Sequence, residues 1–380
     1  MKNIAIVSYN IRCNFTNYGS ALQSWALKEV VKRIGEGNLN PILVDYCPNS
    51  HIDCDPLNPF KNMWDKDERS INNCKLSMPA IKINYKKFDD FYTNRFNRTK
   101  KMYTSNNFDE ISKDENVNSF ICGADTIFCV DEFGMDEVYY ANKKCMKDGY
   151  TFSYAASFGD SHFNDETYKI LNQRLNNFKA IGIREAGMID YIKEHVDNNI
   201  DVERVIDPTL LLTQDDYEEI CSPQTESGDY LLLYARRGNK IMDEYAENLA
   251  REKNLRIIEI SLNALNKDIH TMRYDAGVEE FLTLVKNAKY IVTNSYHGMI
   301  FATIFRKPFV IFSREQCDTK IVEVLNIMGL EDRLLINEIK PVYDVINYDD
   351  VFDKINVEKE KSIRYLKKQL NNIHEEDKNE

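Results

Sequence analysis

The residues of this 380-residue chain best suited to chemistry lie in the run Thr293-Asn294-Ser295-Tyr296-His297-Gly298. Apolar Tyr290-Ile291-Val292 precedes it and apolar Met299 to Phe305 follows, so it reads as a turn from a buried strand into a buried helix. A histidine at a helix N-terminus meets a dipole that disfavours imidazolium. His297 is therefore expected as a neutral ring, able to take a proton or donate to an anion. The plainer role is that of a cap on its own helix. With Asn294, Ser295 and Gly298 it makes a helix end suited to phosphate, Gly298 allowing close backbone approach or a special dihedral. Arg236 and Arg237 end the apolar run Leu231-Leu232-Leu233. A pair of planar guanidinium groups at a strand end suits a small doubly anionic molecule, although either one alone is equally well a solvated loop residue. Arg184 ends Ala180 to Ile183; it reaches a cleft or pairs with a neighbouring carboxylate.

The elements that position these groups alternate. Ile4 to Val7 and Ile42 to Val44 read as buried strands, with a helix between them carrying Leu27, Val30, Val31 and Ile34 at helical spacing. Ser20 is the expected N-cap of that helix, beside Asn17, Tyr18 and Gly19. Strand patterns recur at Phe120 to Cys122 (followed by Gly123-Ala124-Asp125), Thr151 to Ala155, Ala180 to Ile183 and Val205-Ile206. Helical patterns fill the gaps. A second series runs from Tyr230 through Arg256 to Ile260, Tyr290 to Val292 and Pro308 to Phe312. This predicts an α/β chain of two Rossmann-like, doubly wound domains facing a cleft, with ligands at the carboxyl ends of the strands. The expected divisions are residues 1–225, 226–345 and a charged helix and tail over 346–380. The first holds an irregular insertion over about 48–115, with Pro48, Pro56, Pro59 and Pro79. Within it, Phe88, Phe91, Tyr92 and Phe96 share a helical face opposite a basic one.

Composition narrows the function. A net charge of -12 opposes nucleic acid as the main ligand. No apolar run approaches the roughly 20 residues of a spanning helix, and no export signal is expected at the start, which points to a cytoplasmic protein. Peripheral membrane contact through the basic stretch Lys86 to Lys101 stays open. Nine cysteines in no dense pattern imply reduced thiols. Cys47, His51, Cys54 and Cys74 lack the paired spacing of a structural zinc site, and Asp131-Glu132 and Asp136-Glu137 read as a solvated loop, so no metal is expected. P-loop, dinucleotide and nucleophile-elbow motifs are missing.

Taken in order, several blocks resemble the polysaccharide pyruvyl transferases: Asn17 to Gln23, Gly123 to Phe128, Ser153 to Gly159, Ile183 to Glu185, Asp207 to Leu211 and Val278 to Phe309. The resemblance implies a fold similar to the GT-B glycosyltransferases. It also implies transfer of the enolpyruvyl unit of phosphoenolpyruvate to two hydroxyls of a sugar or lipid-linked oligosaccharide, giving a pyruvate ketal of a surface polysaccharide, with no cofactor. His297 matches the family histidine and is the expected acid/base. Arg236, Arg237, Arg184, Asn294, Ser295 and Gly298 are expected at the donor; Asn17, Tyr18, Gly19, Ser20 and Asp125 on the acceptor side. Two departures stand out: Ser295 where many members carry arginine, and Ala124 where the loop often has serine. The alternatives are a glycosyltransferase of the same shape using a nucleotide sugar, and a non-catalytic member of the fold.

Overall fold

The computed structural model describes residues 1–58, 67–261, 268–314, 318–336 and 345–376. Two six-stranded sheets, every pairing parallel, make its frame. The first orders its strands β2-β1-β3-β4-β5-β6 and the second β12-β11-β10-β7-β8-β9. In the first, β1 is Lys2–Val7, β2 Leu39–Leu43, β3 Ser119–Cys122, β4 Tyr150–Ala156, β5 Ala180–Ile183 and β6 Asp201–Arg204. In the second, β7 is Tyr230–Ala235, β8 Arg256–Ser261, β9 Thr271–Met272, β10 Tyr290–Thr293, β11 Phe309–Phe312 and β12 Leu334–Leu335. Strand order reverses between β1 and β3 in one sheet and between β7 and β10 in the other. These are the places where open parallel sheets take their ligands. The expected two Rossmann-like units are present.

Local chemistry explains most elements. Helix α1, Tyr18–Ile34, starts at Asn17, whose Oδ1 accepts from the Gly19 amide at 3.0 Å. The N-cap is thus Asn17; Ser20 lies one turn inside, and its hydroxyl goes to Asp125 instead. The strand expected at Val205-Ile206 ends one residue earlier, at Arg204. The insertion is more regular than its prolines suggest, since helix α2 runs from Glu68 to Arg95 with Pro79 inside it. Pro59 lies outside the described residues. The basic face there is spent on the chain's own carboxylates: Lys86 on Asp90, Lys87 on Glu280, Arg95 on Glu279 and Arg98 on Asp89.

The two halves share one core. Tyr18, expected on the acceptor side, is 6% exposed and stacks on Phe281 of the second half at 4.5 Å, its hydroxyl donating to the Ala276 carbonyl. It is an anchor between halves. Trp25 packs on Tyr217, which meets Phe301 edge-on. Pair geometries of this kind contribute about 0.5–1.5 kcal/mol each beyond area burial. The last helix, α3, Tyr348–Glu376, returns to the first sheet. Its Tyr365 hydroxyl donates to the Ser153 carbonyl, its Ser362 hydroxyl accepts from the Ile206 amide, and its Gln369 accepts from the Tyr150 hydroxyl. The acidic end over 377–380 lies outside the described residues.

Candidate functional site

Strand β10 delivers His297 through a tight turn into helix α4, Tyr296–Ile304, every residue of which is buried. Ser295 caps that helix, its Oγ accepting from the Gly298 amide at 3.3 Å. Gly298 is needed for closeness: a Cβ there would meet Thr293 Oγ1 at 2.4 Å. The Asn294 side chain is also spent, accepting from the Arg236 amide at 2.7 Å and donating to the Arg237 carbonyl at 2.8 Å. Asn294, Ser295 and Gly298 were candidates to touch a ligand; their groups build the turn and brace the Arg236-Arg237 loop beside it.

His297 sits in the seam between the halves, 8% exposed. Its Nε2 lies 2.6 Å from the Gln23 amide nitrogen and 3.6 Å from Asp207 Oδ2, while Gln23 donates to the same Asp207 oxygen at 2.8 Å. Its Nδ1 faces α1 so closely that a Cβ on Gly19 would stand 2.0 Å away. Glycine is required there by contact alone. Two proton arrangements fit this geometry. If Gln23 donates to Nε2, Nδ1 carries the proton and is an acid; if Nε2–H points at Asp207, Nδ1 is a base.

Asp207 organises the inner wall. Its Oδ2 takes Arg184 at 2.8 Å, and its Oδ1 takes the Thr209 hydroxyl at 2.6 Å. Burial works against its charge, yet His297, Arg184 and Thr209 overcome that and hold the carboxyl well below the usual range. Burial likewise opposes the Arg184 guanidinium, and Asp207, Tyr296 and Asp125 hold it charged. Arg184, 6% exposed, is therefore the paired residue of the two roles open to it, with Nη2 3.9 Å from Asp125. A guanidinium already matched by two carboxylates is a poor grip for a free anion.

Asp125 follows β3 with φ of +80°, a left-handed conformation that aspartate tolerates, and its Oδ1 accepts from the Thr126 amide at 2.8 Å. Burial raises its pKa, but Arg184, Lys320, His297 and Ser20 outweigh that and lower it. Beyond it, on the helical turn Val130–Phe133, Glu132 is solvent-accessible between the cleft walls. Those walls and the Asp125 charge push its carboxyl up to about 7, against Lys320, Tyr9 and Arg236. On the other side, Arg236 reaches back towards the Thr16 carbonyl at 3.5 Å and lines a pocket with Phe15, Tyr18, Tyr85 and Tyr234.

The seam thus gathers His297, Gly19, Ser20, Asp125 and Arg184, with Arg236 at its edge. Asn17 stays behind as a cap. Four further residues stand at the site without having been expected in it: Gln23 and Asp207, which close and open the blocks Asn17 to Gln23 and Asp207 to Leu211, Glu132 of the acidic loop, and Lys320, which no motif marks. Asp207 had the clearest signal, a carboxylate at a strand end directly before Pro208. Among the described residues no group of three His, Cys, Asp or Glu side chains stands at metal-binding spacing.

A sequence profile described as "Polysaccharide pyruvyl transferase" matches residues 17–316. No curated protein matches in sequence. Similar solved structures include a mutant of the Thermobaculum terrenum O-GlcNAc transferase, 9% identical, covering 98% of this chain and 63% of that one at a TM-score of 0.40. S. aureus MnaA with UDP is 13% identical over 93% of this chain and 87% of its own, at 0.48. E. coli ADP-heptose LPS heptosyltransferase II is 11% identical over 95% and 99%, at 0.41.

Proposed function

The chain belongs to the polysaccharide pyruvyl transferase family, and from that premise we propose that it moves the enolpyruvyl unit of phosphoenolpyruvate onto two hydroxyls of a sugar. The products are a pyruvate ketal and phosphate. One observation carries this reading: His297 stands in the seam with Nε2 held by Gln23 and Asp207, next to a turn that also braces Arg236 and Arg237. An oriented imidazole beside guanidinium groups fits a reaction that moves protons around an anionic three-carbon donor.

In this reading the first sugar oxygen bonds to C2 of the donor, its proton is taken up by the ring, and a proton is delivered to C3, making the methyl group. The bond from C2 to the phosphate oxygen then breaks and phosphate leaves with that electron pair. The second sugar oxygen bonds to C2, and its proton ends on phosphate or on the ring. Positive charge builds at C2 as phosphate departs, and the carboxylates of Asp125 and Glu132 would offset it. Those carboxylates also suit an acceptor rich in hydroxyl donors. The guanidinium groups of Arg236 and Arg237 suit the donor's carboxylate.

The test is phosphate release from phosphoenolpyruvate in the presence of a panel of oligosaccharides, with mass spectrometry for the ketal. His297→Ala is expected to lower the rate by about 100-fold or more. A variant within about threefold of wild type would remove the ring from the reaction, and a wild-type protein that binds no phosphoenolpyruvate would sink the donor.

A further inference from the structure

Lys320 belongs to helix α5, Asp318–Met328, which follows β11 in the second half. Its ammonium nitrogen lies 5.7 Å from the ring centroid of Tyr296, the residue before His297. The Arg184 guanidinium lies 5.6 Å from the same ring. Two cations therefore flank the catalytic turn, and they differ in what neutralises them. Arg184 is held by Asp207 at 2.8 Å with Asp125 at 3.9 Å. Lys320 is half-buried and has no ion pair within 4.0 Å among the described residues, although its charge is felt across the seam at Asp125 and Glu132.

A half-buried ammonium without a carboxylate in contact keeps donors open to an anion that enters the seam. Lysine presents a compact point charge with rotatable donors, which suits a tetrahedral phosphoryl group. Arginine's fork suits a planar carboxylate. We propose that Lys320 binds the phosphoryl group of the donor, while Arg236 and Arg237 take its carboxylate. This rests on phosphoenolpyruvate being the donor. It divides the ligand between two elements of the second half, the β7 strand end and α5, so that C2 lies towards His297. Phosphate then leaves towards the ammonium, which stabilises the charge it carries away. The rival role for Lys320 is a clamp, closing the halves on Asp125 and Glu132 without touching ligand.

Calorimetric titration of the full chain with phosphoenolpyruvate, inorganic phosphate and pyruvate separates these roles. Lys320→Met is expected to weaken phosphoenolpyruvate and phosphate by about 10- to 100-fold, the loss of one charge-assisted hydrogen bond. Pyruvate, which lacks the phosphoryl group, should change by less than about threefold. Lys320→Arg keeps the charge and should recover phosphate binding to within about fivefold. A thermal midpoint for each variant shows that it is folded, and the arginine variant keeps the test open if the methionine variant is not. Unchanged phosphate binding in Lys320→Met, with wild type binding phosphoenolpyruvate normally, would overturn the assignment and leave the donor intact. Equal weakening of all three ligands would mean a clamp and overturn it too. Wild-type protein that binds pyruvate but neither phosphorylated ligand would bring down the donor reading itself.

Discussion

At the reversal of the first sheet, between β1 and β3, the chain presents Asp125 and, just beyond, Glu132. At the reversal of the second, between β7 and β10, it presents Arg236, Arg237 and the turn bearing His297. The two frames are the same arrangement of parallel strands, yet one crevice wall is acidic and the other basic. Arg184, which the first half brings to the seam, is matched by carboxylates. The comparison teaches that the backbone decides where a ligand lies, while a handful of strand-end side chains decides which part of it each half receives.

The severest way to break this division is Asp207→Asn. It removes the close carboxylate from the buried Arg184, whose next ion pair is Asp125 at 3.9 Å, an expected loss of about 3–5 kcal/mol of stability in urea unfolding. Asp207 also sets an acid limb. Its folded pKa is depressed, so its contribution is full above the ordinary aspartate value of about 4 and fades as pH falls through the folded value. The variant should flatten that limb; an unaltered limb would mean that Asp207 does not hold the wall. Next comes Gly19→Ala, whose methyl has no room beside His297. Overpacking there should cost about 1–3 kcal/mol, and activity should fall further than the folded fraction because the ring is displaced. Normal turnover would show that the ring works from another position. Replacing Arg236 by Met should weaken phosphoenolpyruvate by about tenfold, and Asp125→Asn should not, since the proposed donor contacts include Arg236 and not Asp125. Equal effects would erase the charge division. The smallest effect is that of Glu132→Gln. A raised carboxyl pKa favours folding fully below the unfolded value of about 4.5, and that advantage is lost as pH rises through about 7. The glutamine variant should therefore lose this slope between those pH values, a shift of about 2 °C or less in thermal midpoint for so accessible a group.

Much of this arrangement is legible in the residues because it is local. Short continuous apolar runs such as Ile4 to Val7 and Leu231 to Leu233 read as strands covered on both faces, and the turn at His297 lies between two of the most apolar elements of the chain. What escapes is set by contacts between distant segments. Tyr18 reads as a cleft residue until Phe281 is seen stacked on it, and Arg184 reads equally as gripping or paired until Asp207 decides. The first part of helix α2 escapes for another reason: Pro79 argues against a helix interior, although the aromatic face of Phe88, Phe91 and Tyr92 already reads as helical. Lys320 escapes because a lone lysine near the start of a helix has no spacing to betray it.

Helix α3 joins both halves. Near its start Asp349 pairs with Arg306 of the second half at 2.8 Å, and a few turns later Ser362, Tyr365 and Gln369 are fastened to the first sheet. Its 29 residues form a rod of about 43 Å laid across both units like a splint. A stiff rod fastened to both units opposes twisting and sliding between them more than rocking about its own axis.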